Sequence, residues 1–412
     1  MPTIPRIISV DDHVVEPAHL FQRWLPQRYR ADGPRVVRSG TKPVRFVNGR
    51  FVLEEDPKGR PTDVWLYGDV RMPLRSAEAA VGLPVMDNGG ITFDEMRPGL
   101  YDPVERVKDM DLNGVEASLC FPNSIPRFCG QTFLEGKDKD LGAACVRAYN
   151  DWIVEEWSGD SGGRLIPLCM VPLWSATLAA EEVERNAARG VHAITFPENP
   201  AALGLPSIHS SDRYWDPLLA ACADTRTTVC MHIGSSSKLP TTSPDAPAAV
   251  MAVLLNLNAM SSMVDWLFSG IFERFPEIVV AYSEGNIGWI PFILERSDRI
   301  WEEHKFLYAE QTLPRKPSEY YADHIYGCYI SDSHGLRSLD LVGEDNITYE
   351  TDYPHTDSTW PNSRDVAERE LGHLTESQIE KIVRGNAIRM LSLDLPAAAR
   401  LGTPQSEAAD AR

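Results

Sequence analysis

Eight short runs rich in apolar and β-branched residues punctuate the chain: RIISV, VEASLCFP, LIPLCMVPL, HAITFPEN, TVCMHIG, EIVVAYSEG, IYGCYIS and NITYETD. Most are continuously apolar rather than alternating, which predicts strands buried on both faces, the pattern of a parallel sheet. Helix-like stretches such as 139–158, 178–189 and 215–223 separate most of them. Eight strand and helix units in alternation predict an α/β chain closed into a (β/α)8 TIM barrel. An open doubly wound sheet is the alternative, but no glycine-rich phosphate loop follows any of the runs.

The spacing breaks once. Roughly eighty residues lie between the first strand and a helix starting near Asp102, where a few normally suffice, so 24–101 reads as an insertion. Within it, RFVNGRFVLE sets Asn48-Gly49 between two apolar runs, a tight-hairpin signal, and DVWLYGDV predicts a further strand. Because the insertion leaves the catalytic end of the first strand, a β-hairpin lid or pocket wall is expected, with an oligomer contact or packing decoration as the alternative. One barrel domain over 1–395 is expected to end in a disordered Ala-, Pro- and Gly-rich tail, 396–412.

In such a barrel, reactive groups sit at the C-terminal ends of strands. Asp11 and His13 are two apart on the first strand and point to one side. His232 ends the fifth strand and Asp352 the eighth. A single strand histidine is most often a hydrogen-bonded core residue. Four such groups in one mouth would leave carboxylates and imidazoles unpaired unless a cation joined them, so they are the expected metal ligands. Glu198, after the fourth strand, and Glu284, after the sixth, are expected to face the same cavity as ligand or catalytic groups; a salt bridge or a helix N-terminal carboxylate is the alternative. His355, beyond Pro354, is a candidate catalytic group or substrate contact, with a surface histidine as the alternative. Asp12 and Glu16 are reserve candidates that alternate away from the pair. His192, at the opposite end of the fourth strand, is expected to be structural.

Composition narrows the partners. The formal net charge is −19, with acidic residues spread along the chain and no Lys/Arg block to track phosphates, so nucleic acid is not expected. Seven cysteines without CxxC spacing argue against a disulfide framework and for a reducing cytoplasm. No signal peptide is expected. The most apolar segment, 248–268, carries Asn256, Asn258 and Asp265 and is expected to be a buried helix rather than a membrane span. A small-molecule substrate and a homo-oligomer are expected.

The chain resembles the amidohydrolase-related enzymes that include aminocarboxymuconate semialdehyde decarboxylase and γ-resorcylate decarboxylase. VDDH at the first strand, MHIG at the fifth, FERFPEIVVAYSEGNIGWIPF around the sixth, ITYETDYPH at the eighth and KIVRGNAIRML in the closing helix carry the likeness in order. The resemblance implies that Asp11 and His13 replace an acid-x-His or His-x-His ligand pair, with His232 and Asp352 as the remaining ligands.

One departure bears on the chemistry. Where the family's decarboxylases have a histidine opening a His-Gly-Gly stretch, this chain has Ser283-Glu284-Gly285. With Glu198, this gives two histidines and four carboxylates, a set that resembles a branch using dinuclear non-haem iron for oxygen-dependent hydroxylation of unactivated carbons. The expectation from that likeness is two Fe (or Fe/Mn) on Asp11, His13, Glu198, His232, Glu284 and Asp352, with dioxygen as co-substrate. The rival is a hydrolase or non-oxidative decarboxylase of a carboxylic acid, with a single Zn or Mn on Asp11, His13, His232 and Asp352 and Glu284 as acid/base.

Overall fold

Continuous burial is what the strand runs share in the computed structural model, which describes residues 4–47, 50–84, 87–308 and 313–395. Strand β1 (Ile7–Val14) is buried at every position. The insertion contributes β2 (Arg35–Thr41), β3 (Arg45–Val47), β4 (Arg50–Val52), β5 (Arg60–Tyr67) and β6 (Val70–Pro73). The remaining barrel strands are β7 (Val115–Pro122), β8 (Leu165–Ile166), β9 (Ala193–Thr195), β10 (Thr228–His232), β11 (Val280–Ser283), β12 (Ile325–Tyr329) and β13 (Ile347–Tyr349). Each of the eight expected runs overlaps one of these parallel strands, and β1 extends four residues beyond its run, to Val14.

The strands run in two parallel arcs, β1-β7-β8 and β13-β12-β11-β10-β9. Two seams close them into the expected (β/α)8 barrel. Cys169, just past β8, exchanges bonds with β9 (Cys169 N–H to Ala193 O, 3.1 Å; Thr195 N–H to Cys169 O, 2.9 Å). At the other seam, Asp352 N–H donates to Asp11 O at 3.0 Å and His13 N–H to Tyr353 O at 2.6 Å. Ile8, Val10, Ala117, Leu119, Phe121, Leu168, Cys230 and Ala281 fill the barrel, and Met390 and Leu391 of the closing segment plug its base.

The first crossover helix starts where expected. Asp102 caps Pro103–Asn113 by accepting from Val104 and Glu105 N–H groups, and Gly114 ends it at φ 71°, a left-handed conformation that suits glycine. The segment expected to be one buried helix is instead two, Ala248–Leu254 and Leu257–Leu267. The second buries Met263, Trp266 and Leu267; the first buries only Met251 and leaves Val253 exposed. Together, 248–267 is the one stretch among the described residues that is long and apolar enough to cross a membrane. All seven cysteines are buried free thiols.

The insertion holds an antiparallel sheet, β2-β5-β6, and the hairpin β3-β4. DVWLYGDV makes two strands rather than one, because Gly68 at φ 53° turns the chain between them. The hairpin pairs Val47 with Arg50 around the expected turn; Asn48 and Gly49 lie outside the described residues, as does the tail 396–412. Among the described residues no hydrogen bond or ring contact joins the hairpin to Asp11, His13, His232, Glu284, Asp352 or His355. The part of the insertion that reaches the barrel mouth is 78–81: Pro354 O accepts from Ala80 N–H (2.8 Å) and Val81 N–H (3.2 Å), and Glu78 O accepts from Asn123 Nδ2 (2.9 Å).

Candidate metal centre

The first strand needs an irregularity to present its acidic and imidazole groups. Ile8 and Val10 pack in the barrel interior, and strict alternation would send Asp11 and His13 outward. The register against β7 instead gives β1 one extra residue between Ser9 and Asp12, after which His13 pairs with the interior residue Phe121. Such a bulge re-aims the side chains that follow it. Asp11 and His13 are fully buried within the mouth. Arg106, itself buried, donates to His13 O and Gly99 O from below and holds this part of β1 in place.

The ligand atoms converge. His13 Nε2 lies 3.2 Å from His232 Nε2, 3.6 Å from Asp11 Oδ1 and 3.5 Å from Asp352 Oδ1. His232 Nε2 is 3.5 Å from Asp11 Oδ2 and 3.6 Å from Glu284 Oε2. Donors bound at about 2.1 Å from one cation stand about 3.0–3.4 Å apart in octahedral or tetrahedral arrangement, so each of these pairs is spaced as neighbouring ligands are, and the atoms fall into two groups that share His13, one with Asp11 and His232 and one with Glu284, Asp352 and His355. His232 Nδ1 faces Ile233 O at 2.7 Å. That carbonyl must receive the ring proton, leaving the Nε2 lone pair aimed into the cluster, the usual support of a metal-bound histidine. Neither oxygen of buried Asp11, and neither oxygen of buried Asp352, has a hydrogen-bond donor among the described residues.

The electrostatics agree with that fit. Burial, then Glu350, Glu284 and Asp352, push the Asp11 carboxyl well above its ordinary value. Burial likewise raises Asp352, and burial holds the His13 and His232 imidazoles towards the neutral form. Carboxylates that resist ionisation beside neutral imidazoles are groups that a cation would stabilise together. Glu284 and Asp352 also sit at positive φ, 52° and 48°, a strained conformation for residues with a Cβ that favours a site role.

His355 completes the group from the loop after β13. Its ring stacks on His13 with centroids 3.8 Å apart. Nδ1 lies 2.9 Å from Asp352 Oδ1 and 3.7 Å from Glu284 Oε1, and Nε2 lies 3.2 Å from Asn123 Oδ1. An imidazole with carboxyl groups beside one nitrogen and an amide oxygen beside the other is favoured in its protonated form. Burial opposes that charge, but Asp352 and Glu284 outweigh it.

Glu198 stands apart. It joins neither group of side chains whose ligand atoms lie within 4.8 Å of one another, one being His13, Glu284, Asp352 and His355 and the other Asp11, His13 and His232. Its Oε2 accepts from Gly234 N–H at 3.0 Å, and burial pushes its pKa up to about 8. Asp12 is engaged by Ser9, Ser118, Thr351 and the Tyr353 N–H; Glu16 accepts from the Asn123 and Ser124 N–H groups. Both face away from the ligand cluster, as alternation requires. His192, at the far end, bonds Thr225 O.

Three neighbours of the centre were not singled out by the sequence reading. Glu350 is fully buried, accepts from Glu284 N–H at 3.1 Å and contacts Cys328; burial raises it to about 8. Its two-residue spacing from Asp352 was the available signal. Phe128 stacks on His232 at 4.1 Å, and Asn123 meets His355; nothing local in FPNSIPRF marks either.

The Amidohydrolase family model matches residues 63–393, beginning within the insertion and after β1. Among solved structures, an amidohydrolase from Mycobacterium avium subsp. paratuberculosis K-10 is 21% identical with TM-score 0.68, covering 94% of this chain and 99% of that one. A dihydroxybenzoic acid decarboxylase from Polaromonas sp. JS666, with bound manganese and the inhibitor 2-nitroresorcinol, is 16% identical with TM-score 0.58, covering 94% and 97%. A 5-carboxyvanillate decarboxylase from Sphingomonas paucimobilis is 18% identical with TM-score 0.58, covering 94% and 99%. At these identities the likeness establishes the fold. No curated protein matches the chain.

Proposed function

The chain belongs to the amidohydrolase family, and from that premise we propose that it is a metal-dependent, non-oxidative decarboxylase of an aromatic carboxylic acid. One observation carries the reading: the His355 ring lies between the Asp352 and Glu284 carboxyl groups on one side and the Asn123 amide oxygen on the other, a setting that favours its protonated form, so the mouth holds a proton donor beside the ligand cluster. Replacing a carboxylate by hydrogen on a ring carbon needs that proton, and carbon dioxide leaves with no oxidant consumed. Hydrolysis would instead call for a base.

Asp11, His13, His232 and Asp352 would hold one divalent cation, with Glu284 at its edge. When bound, the ion supplies Lewis acidity and orients an anionic substrate. His355 holds its Nδ1 proton against Asp352 Oδ1 and releases it towards the ring carbon. This supplies, from the eighth strand's loop, the imidazole that Ser283-Glu284-Gly285 lacks. Phe128 and Phe121, with rings 4.1 and 5.2 Å from that of His232, offer an aromatic wall. The decarboxylase names of the Polaromonas and Sphingomonas structures, and the manganese of the former, support the same reading. The two-iron hydroxylation drawn from the sequence needed Glu198 beside Glu284 in a second metal position. With Glu198 outside both groups, we favour one cation and no dioxygen chemistry.

Manganese-loaded protein given 2,6-dihydroxybenzoate, 5-carboxyvanillate and related hydroxybenzoates under nitrogen should release carbon dioxide from at least one of them, and His355→Asn should slow that release at least a hundredfold to a residual, measurable rate. Turnover that requires oxygen, or no carbon dioxide from any acid of the series, overturns the reading.

A further inference from the structure

We propose that Asn123 is a positioning residue for His355, and that through it the inserted segment around Glu78 sets the orientation of the proton donor; the proposal rests on the role given to His355 above. Asn123 is almost wholly buried in the loop leaving β7 and is held on three sides. Its backbone N–H donates to Glu16 Oε1 at 2.9 Å, and the next N–H, of Ser124, to Glu16 Oε2 at 2.8 Å, so one buried side chain clamps the start of the loop. Its Nδ2 donates to Glu78 O at 2.9 Å. A carbonyl can only accept, which fixes the amide with Oδ1 on the other side, facing His355 Nε2 at 3.2 Å. His355 must therefore donate from Nε2, which leaves Nδ1 turned to Asp352.

The same inserted segment also grips the loop that carries His355, because Pro354 O accepts from Ala80 and Val81 N–H groups. Two contacts from one strap, one on the imidazole through Asn123 and one on the adjoining peptide, confine the ring in plane and in position. A donor misplaced by about 1 Å loses much of its rate advantage while substrate binding is little changed.

A double-mutant cycle tests this. Asn123→Ala in the manganese-loaded enzyme should lower kcat tenfold or more, with KM within about threefold and metal content unchanged, and in the His355→Asn background it should cost nothing further. Asn123→Asp keeps an acceptor oxygen for His355 but not the donation to Glu78, and its kcat should lie between those of the wild type and Asn123→Ala. A second readout is independent of turnover: in zinc-loaded, 15N-histidine-labelled protein, the His355 Nε2–H resonance should be protected from exchange and lose that protection in Asn123→Ala. Multiplying losses in the cycle, an Asn123→Asp protein as slow as Asn123→Ala, or an unchanged Nε2–H signal overturns the proposal. Failure of the underlying function would show differently, as a His355→Asn enzyme with full activity.

Discussion

His13 Nε2 and His232 Nε2 face each other at 3.2 Å, and the Nδ1 of His232 is turned to the Ile233 carbonyl. With its proton committed to that carbonyl, His232 brings a lone pair to the contact. Two imidazoles meeting in this way beside the unpartnered carboxylate of Asp11 are a group that could hold a cation.

His232→Ala should therefore lower divalent metal affinity at least tenfold, read by elemental analysis after dialysis against a weak chelator. Wild-type protein should hold one equivalent, and Glu198→Gln should hold the same. Two equivalents in the wild type, with one lost in Glu198→Gln, would restore the dinuclear arrangement and overturn the one-cation assignment.

The barrel and the cluster of ionisable side chains at its mouth were legible because both depend on local pattern: continuous apolar runs mark buried parallel strands, and ionisable residues at their ends stand out against them. Asp11 and His13 were found at the correct mouth, but by an incomplete argument. Alternation from Ile8 and Val10 would have sent them outward, and only the extra residue between Ser9 and Asp12 brings them in. A bulge leaves no trace in composition or period. Glu198 looked equivalent to Glu284 because both follow a strand; which neighbour each meets is decided by loop conformation, the left-handed backbone at Glu284 and the Gly234 N–H at Glu198. Asn123 was invisible because its three partners lie at Glu16, Glu78 and His355, far apart along the chain.

The hairpin and the segment 78–81 should separate functionally. Val47 and Phe51 are 40% and 36% exposed, and the hairpin's polar contacts stay within the insertion, as between Arg45 and Glu54. Replacing 44–53 with a short Gly/Ser linker should leave kcat and metal content within about twofold, since exposed loop tips tolerate deletion. Ala80→Pro removes the N–H that binds Pro354 O and should lower kcat at least tenfold with metal retained. Steady-state kinetics with paired elemental analysis checks both; a hairpin deletion that abolishes turnover would make the hairpin the pocket wall after all.

Glu16 gives a pH dependence whose sign can be worked out. Burial raises its carboxyl from the ordinary 4.5 to about 7, against the pull of the Asn123 and Ser124 N–H groups. A carboxyl with a higher pKa folded than unfolded binds its proton more tightly in the folded state. Its contribution to stability is thus full below about pH 4.5 and lost as pH rises through about 7. A shift of this size corresponds to a change on the order of 3 kcal/mol. Glu16→Gln cannot ionise, so it removes that term and leaves only a pH-independent cost from meeting two N–H donors with one oxygen and one amide nitrogen. Urea unfolding at saturating metal, which holds the ligand cluster in one state, should show the stability of wild type relative to Glu16→Gln falling between about pH 5 and pH 8. A difference that stays constant across that range, or that grows in favour of the wild type, would mean that Glu16 is ionised throughout and clamps the Asn123 loop as a carboxylate.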